Sequence, residues 1–198
     1  LNIFNNKKFL INILIATMPV MLFGFIFVNT VDIINIKIIA WASLIFGILL
    51  YISDKNKKSK TIAKEFNYKA ALIIGLSQVL SLMPGVSRSG ITITTGRFLG
   101  FDRYSSLKIS FFLSIPTLAM VSLYGMYSLY KEDNPQLSWL SLEAVILSFI
   151  FSYLTIKIFF NFIKKFNFNL IVVYRIIISC ALLFIVYFYP TPIWELHK

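Results

Sequence analysis

The stretch MPGVSRSGITITTG, Met83 to Gly96, lies between two apolar runs of a very hydrophobic chain. It brings together a proline, several glycines, serines and threonines, and the cation Arg88. Polar, irregular backbone survives inside a membrane only where protein buries it or where it lines a wet cavity. An ionisable side chain at that depth is by default a functional candidate. The stretch therefore predicts a functional site within a membrane protein.

The composition supports a membrane protein. The chain has 198 residues, of which 58% are hydrophobic, and its mean hydropathy is +0.80, whereas soluble domains are about 45–50% apolar. The formal net charge is +11. Most lysines lie in short segments between apolar runs, which is typical of topology signals and anchors for anionic lipid. No nucleic-acid recognition motif accompanies the charge, so nucleic-acid binding is not expected.

Five long apolar runs predict membrane-spanning helices, because an α-helix rises about 1.5 Å per residue and the hydrocarbon core is about 30 Å thick. The runs are Phe9–Val28, Ile33–Ile52, Ile109–Tyr130, Leu137–Ile156 and Leu170–Tyr189. The fold class expected is an all-α integral membrane protein, a multi-pass helical bundle.

Two shorter runs, residues 70–83 and 91–100, flank the polar stretch and cannot span a membrane alone. Together they predict a re-entrant helical hairpin over residues 70–100 that enters and leaves on one side. The lysine-rich segment Ser53–Lys69 marks that side as cytoplasmic. A single span in place of the hairpin would move the lysines after the fourth long run to the outside. We therefore favour the hairpin.

The short sequence PGVSRSG contains the parts of a phosphate site. Pro84 ends the first short helix, because it cannot donate a backbone hydrogen bond. Ser87 or Ser89 can cap the helix that starts near Gly90, and its first turn directs amide N–H groups and the positive end of the helix dipole at the tip. Arg88 adds a planar cationic fork suited to bidentate phosphate contact.

Two threonines follow, Thr92 and Thr95, which can present hydroxyls on one helix face because they are three residues apart. A phosphate pocket in an apolar chain indicates a lipid phosphate or diphosphate as its ligand. The alternative is a structural polar cluster, in which Arg88 pairs with a carboxylate on another helix and the serines bond to backbone groups.

Two further arginines lie near apolar runs. Arg97 could extend the anion site, but snorkelling or a lipid contact explains it equally well. Arg175 follows Tyr174 near the start of the last run, where we favour an interfacial anchor over a catalytic role.

The segment MPGVSRSGITITTGRFLGFDRYSSLKISFFLSIP, residues 83–116, closely resembles the second signature of the undecaprenyl-diphosphate phosphatase family, the bacitracin-resistance proteins. GLSQVLSLMPG, residues 75–85, is similar to the family's lead-in helix, and VYRIII, residues 173–178, also fits. The resemblance implies a hydrolase of the bacterial plasma (inner) membrane that converts undecaprenyl diphosphate to undecaprenyl phosphate. That reaction recycles the lipid carrier for peptidoglycan synthesis, and it implies roles in cell shape and bacitracin resistance.

The resemblance also implies an inverted-repeat fold, with one re-entrant hairpin in each half and an active site open to the outer, periplasmic face. Residues 1–69 would be the later part of the first repeat, with two transmembrane helices and the lysine-rich loop. Residues 70–198 would be the second repeat, with the hairpin and three transmembrane helices. Both belong to a single membrane domain. Implied cofactors and partners are Mg²⁺ or Ca²⁺, the polyprenyl diphosphate, membrane lipids and a second copy of the chain in a homodimer.

The family's first signature, a glutamate-rich helix and a serine-rich turn ending in histidine, has no counterpart here. The single histidine is His197, which we interpret as a solvated terminal residue. We therefore expect an N-terminally truncated member, with no metal ligands in this chain and the ligands upstream of Leu1. Gln78 stands where the other hairpin would carry a glutamate. It could contact the phosphates or the other hairpin, or serve as a helix-contact glutamine.

The expected catalytic residues are Arg88 and Ser87, with Ser87 a candidate nucleophile and direct attack by water the alternative. The expected diphosphate-binding residues are Ser87, Arg88, Ser89, Gly90, Thr92 and Gln78. A rival hypothesis is a transporter or flippase for polyprenyl phosphate, because secondary transporters also hold anions with broken helices near the membrane midplane. A third, weaker hypothesis is a structural membrane subunit.

Overall fold

The computed structural model describes residues 7–27, 35–55, 59–132, 135–165 and 168–188. Within these ranges the chain is helical, with one short 3₁₀ turn and one isolated bridge. The helices are α1 (Lys7–Phe27), α2 (Ile36–Asp54), α3 (Ile62–Glu65), α4 (Tyr68–Val79), α5 (Arg88–Phe98), α6 (Arg103–Glu132), α7 (Pro135–Lys165) and α8 (Asn169–Phe188), and the 3₁₀ turn is Leu80–Leu82.

The five predicted spans are confirmed. Five of the described helices, α1, α2, α6, α7 and α8, are long and apolar enough to cross a membrane. The chain is thus an all-α, multi-pass membrane protein. Helix α6 begins at Arg103 rather than at the predicted Ile109. Its first residues are polar, so they lie outside the apolar run from which the span was predicted. Val28, Ile33, Tyr189 and His197 lie outside the described residues.

The hairpin over residues 70–100 is confirmed as a pair of short helices. Helices α4 and α5 have 12 and 11 residues, or about 18 Å at 1.5 Å per residue, too short to cross the hydrocarbon core. The chain before α4 meets the chain after α5: the Lys60 amide donates to the Gly100 carbonyl at 3.1 Å, and the Asp102 amide donates to the Lys60 carbonyl at 3.0 Å. The hairpin therefore returns to the side from which it started.

Buried ion pairs hold the hairpin base, a name used here for Asp54, Arg97, Phe101 and Arg103. The Arg97 guanidinium, on a residue that is 2% exposed, lies 3.1 Å from the Asp54 carboxylate and donates to the Phe101 carbonyl at 3.0 Å. Arg103 Nε donates to the same carboxylate at 2.8 Å. Both predictions for Arg97, an extended anion site and lipid snorkelling, are wrong, because the side chain is enclosed and bonded to a carboxylate.

The chain divides into two compact units; the described parts of one lie within Leu1–Leu113 and Asn167–Lys198, and those of the other within Ser114–Phe166. The first unit contains the hairpin. Its core packs α1 against the hairpin, with Phe9 and Phe66 ring centroids 5.5 Å apart and Phe66 and Phe101 centroids 6.2 Å apart. In the second unit, the apolar span Trp139–Ile158 exposes its side chains, as expected for a lipid-facing helix. The division into repeats at residues 69 and 70 stays a prediction.

Candidate phosphate site at the hairpin tip

The hairpin tip, residues 84–90, turns the chain from α4 into α5 against the side of α2. Gly85 has a φ of 93°, in the left-handed region that favours glycine. A Cβ atom at this position would also collide with the backbone carbonyl of Ile39 in α2. Glycine is therefore required here both for its backbone conformation and for the close approach of the two backbones.

Ser87 is the N-cap of α5. Its Oγ accepts a hydrogen bond from the Gly90 amide at 3.3 Å, while its own backbone adopts a φ of 65° and a ψ of 114°. A non-glycine residue with positive φ costs about 1–3 kcal/mol and persists only where the surroundings fix it, which is common at functional sites. The sequence left the cap open between two serines, and the structure assigns it to Ser87.

The hydroxyls of Ser87 and Ser89 lie on an exposed surface beside the first turn of α5. Both residues are exposed, and their Oγ atoms are 3.5 Å apart. The α5 N-terminus adds amide donors and a positive dipole end to the same place. The arrangement of two hydroxyls over a helix N-terminus suits the oxygens of a phosphate group.

Arg88 and Gln78 come together, although they are ten residues apart in sequence. Arg88 is half-buried, and its Nη2 atom donates to the Leu113 carbonyl and, at 3.5 Å, to Gln78 Oε1. Gln78 is fully buried, and its Nε2 atom has no hydrogen-bond partner among the described residues. An unsatisfied buried donor costs about 1–3 kcal/mol. An acceptor beside the amide would recover that cost, and the contact of Gln78 with a phosphate stays a prediction.

Thr92 lies at the back of the tip. It is 1% exposed, and its hydroxyl contacts Ser110 Oγ of α6 at 2.8 Å and the Arg88 carbonyl at 3.0 Å. The structure therefore brings Thr92 to the α5–α6 contact, on the buried side of the helix, whereas the two serine hydroxyls are exposed. Its role in phosphate binding stays a prediction.

Arg175, which reaches the tip from α8, is the residue whose surroundings the sequence predicted wrongly. It is 9% exposed, and its Nη2 atom donates to the carbonyls of Gly85 at 2.9 Å and Val86 at 3.2 Å. A Cβ atom on Gly90 would lie 2.6 Å from Arg175 Nη1, so Gly90 leaves room for this guanidinium. The interfacial-anchor interpretation is wrong. The available signal was the charge itself, since arginines within apolar spans usually face the protein interior.

A divalent cation does not fit the tip as the described residues build it. The side chains there are hydroxyls, an amide and guanidinium groups, which suit an anion, and hard cations need oxygen ligands such as carboxylates. In the described part of the chain, no group of three or more His, Cys, Asp or Glu side chains could hold a metal ion. We therefore derive no step through a metal from these residues.

The fold and the tip together define a class: a multi-pass α-helical membrane protein that presents hydroxyl and cationic groups on a re-entrant hairpin. Comparison with known proteins is more specific. Residues 3–181 match the family model described as bacitracin resistance protein BacA, and the chain belongs to this family. The resemblance of residues 83–116 to this family is confirmed.

Similar curated proteins bear the name undecaprenyl-diphosphatase. The chain is 45% identical over 191 residues to the protein of Pelagibacter ubique, covering 94% of this chain and 74% of that protein. It is 38% identical over 179 residues to the protein of Elusimicrobium minutum, covering 89% and 67%. It is 34% identical over 179 residues to the protein of a Jannaschia species, covering 88% and 67%. The chain thus spans two thirds to three quarters of these relatives.

Proposed function

We propose that the complete protein is an undecaprenyl-diphosphatase, which hydrolyses undecaprenyl diphosphate to undecaprenyl phosphate and inorganic phosphate. The family match and the relatives' shared name support this proposal. The structural observation that carries it is the hairpin tip, where the exposed hydroxyls of Ser87 and Ser89 flank the first turn of α5 and Arg88. The product monophosphate returns to peptidoglycan synthesis, and restoring this carrier accounts for bacitracin resistance.

The reaction transfers the terminal phosphoryl group of the lipid diphosphate to water. A new bond forms between the water oxygen and the terminal phosphorus, the bond from that phosphorus to the bridging oxygen breaks, and the lipid monophosphate leaves. Negative charge develops on the phosphoryl and bridging oxygens. Fixed donors aimed at those oxygens lower the barrier, because they need no reorganisation during the reaction.

Each tip residue has a role in this proposal. The hydroxyls of Ser87 and Ser89 hold the diphosphate oxygens at the α5 N-terminus, where the helix dipole is positive. The Gly90 amide donates to Ser87 Oγ and so keeps that hydroxyl in place. Arg88 stabilises the charge that develops in the transition state. The Gln78 amide offers its unsatisfied N–H to a phosphate oxygen. Proton transfer requires groups other than these, because an arginine side chain keeps its proton in proteins and does not serve as a general acid or base.

The protein lies in the bacterial plasma membrane, with the lysine-rich segment Ser53–Lys69 in the cytoplasm and the tip open to the outer face. Mg²⁺ or Ca²⁺ supports activity through ligands outside the described residues. A second copy of the chain forms a homodimer. Chelation, external thiol labelling of a cysteine placed at Ser89, and chemical cross-linking in membranes test the cation, the orientation and the dimer in turn.

The decisive test uses the complete protein in proteoliposomes with externally added undecaprenyl diphosphate. We expect release of inorganic phosphate, its loss in Arg88→Ala, and full activity in Cys180→Ala, a change at an exposed residue distant in sequence from the tip. Transbilayer movement of the lipid without phosphate release would replace the enzyme with the transporter hypothesis. Wild-type behaviour of every tip variant would favour the structural subunit.

A further inference from the structure

Arg175 is a buried cation whose hydrogen-bond partners are neutral. It donates to two backbone carbonyls of the tip, and in the described part of the chain no carboxylate lies within salt-bridge distance of it. Burying a charge is costly unless it is paired and hydrogen-bonded. Two carbonyl dipoles offset part of that cost, and an anion bound at the tip would offset more.

The position of Arg175 ties it to the exposed hydroxyls. Its Nη1 atom and Ser87 Oγ flank the same glycine, because a Cβ on Gly90 would lie 2.6 Å from the first and 3.2 Å from the second. Its Nη2 atom bonds the Gly85 and Val86 carbonyls, the two that directly precede Ser87. The guanidinium therefore fixes the backbone immediately before the strained N-cap.

This contact also decides which backbone groups can face a ligand. Carbonyl oxygens repel a phosphate, whereas amide N–H groups attract it. Arg175 donates hydrogen bonds to the carbonyls of Gly85 and Val86. Those two oxygens are therefore directed at the guanidinium. A lysine could keep the charge, but it presents a point charge on a flexible stem rather than a rigid fork.

We propose that Arg175 is a positioning residue of the phosphate site: its guanidinium holds the Gly85 and Val86 carbonyls and keeps a positive charge behind Ser87. This inference rests on the proposed function of the hairpin tip. It differs from the role of Arg88, which belongs to the tip itself, because Arg175 acts from a separate membrane-spanning helix.

The kinetic test compares Arg175→Gln and Arg175→Lys in the complete protein with Arg103→Gln, which removes the same charge at the hairpin base. Hydrogen bonds to charged groups correspond to roughly 10- to 100-fold in an equilibrium constant. We expect the KM for undecaprenyl diphosphate to rise by about tenfold or more in both Arg175 variants and by less than about threefold in Arg103→Gln. A wild-type KM in Arg175→Lys, or equal effects in all three variants, would overturn the proposal.

A second measurement does not depend on hydrolysis. In a Cys180→Ala, Ser89→Cys background, the rate of thiol modification by an anionic reagent is divided by that for a neutral reagent of similar size. We expect Arg175→Gln to lower this ratio about three- to tenfold, Arg175→Lys to preserve it, and Arg103→Gln to leave it within about twofold of the background protein. An unchanged ratio in Arg175→Gln would contradict a positive charge behind Ser87.

The KM and the labelling ratio together distinguish a failure of the proposed enzyme function from a failure of the positioning role of Arg175. If the wild-type protein releases no phosphate, the proposed enzyme function fails, and the labelling ratio still tests Arg175. If the wild-type protein is active and neither the labelling ratio nor the KM changes when Arg175 is replaced, only the positioning role fails. If Arg175→Gln does not yield a monodisperse protein, the KM of Arg175→Lys decides.

Discussion

The two ends of the re-entrant hairpin each contact a buried arginine, and the two arginines have opposite surroundings. At the base, Arg97 is 2% exposed and lies 3.1 Å from the Asp54 carboxylate. At the tip, Arg175 is 9% exposed and bonds only to backbone carbonyls among its described partners. The charge at the base is neutralised within the protein, so we assign it to stability. The charge at the tip remains for a ligand, so we assign it to binding.

Removing the carboxylate at the base tests that assignment with the largest expected effect. Asp54→Ala leaves Arg97 buried without its ionic partner, and breaking a buried pair in this way costs about 3–5 kcal/mol. Thermal unfolding in detergent measures the change. Asp102→Ala is the control, since Asp102 accepts from the Ser105 amide at 2.7 Å as an N-cap, and losing a cap costs about 0.5–2 kcal/mol. Equal losses of stability in Asp54→Ala and Asp102→Ala would contradict the assignment of the buried Asp54–Arg97 pair to stability.

Truncating Arg88, which lies within the tip itself, tests binding and catalysis. In the complete protein, Arg88→Ala should reduce turnover about 10²-fold or more, because it removes a charged donor from the developing phosphoryl charge. Phosphate release measures turnover, and thermal unfolding shows whether the variant is folded. Arg88→Lys is the matched variant, which we expect to recover only part of the activity because lysine lacks the planar fork. Near-normal turnover in a well-folded Arg88→Ala protein would show that Arg88 does not stabilise the transition state.

The Ser87 hydroxyl separates holding from nucleophilic attack. Its Oγ already accepts from the Gly90 amide at 3.3 Å, so we expect Ser87→Ala to weaken phosphate binding about three- to tenfold, as for one hydrogen bond of about 1 kcal/mol. Phosphate release measured over a range of substrate concentrations separates KM from kcat. Complete loss of turnover with intact substrate binding would instead identify Ser87 as the nucleophile.

Replacing Thr92 should have the smallest effect on the KM, because its hydroxyl contacts Ser110 at 2.8 Å on the buried side of α5. Thr92→Val is expected to lower the free energy of unfolding by about 0.5–1.5 kcal/mol and to change KM less than Ser89→Ala does. Urea or thermal unfolding and the same kinetic assay measure the two quantities. A rise in KM larger than that of Ser89→Ala would place the threonine in the phosphate site, as the sequence suggested.

The sequence was informative where the controlling physics is local. Span length follows from the thickness of the hydrocarbon core, and the break between α4 and α5 follows from Pro84, Gly85 and a capping serine, so both were predictable. The N-cap itself was ambiguous between Ser87 and Ser89. Only the backbone geometry, a φ of 65° at Ser87 with its Oγ accepting from the Gly90 amide, distinguishes them.

The sequence by itself therefore determined an all-α membrane protein with a polar hairpin and placed Arg88 at its tip. The tertiary structure alone decided what the other arginines do. Arg97 meets Asp54, 43 positions away, and Arg175 meets Gly85, 90 positions away. A buried guanidinium has the same appearance in a sequence whether its partner is a carboxylate or a carbonyl. The partner sets whether its charge is neutralised or available, and only the packing of distant helices supplies that partner.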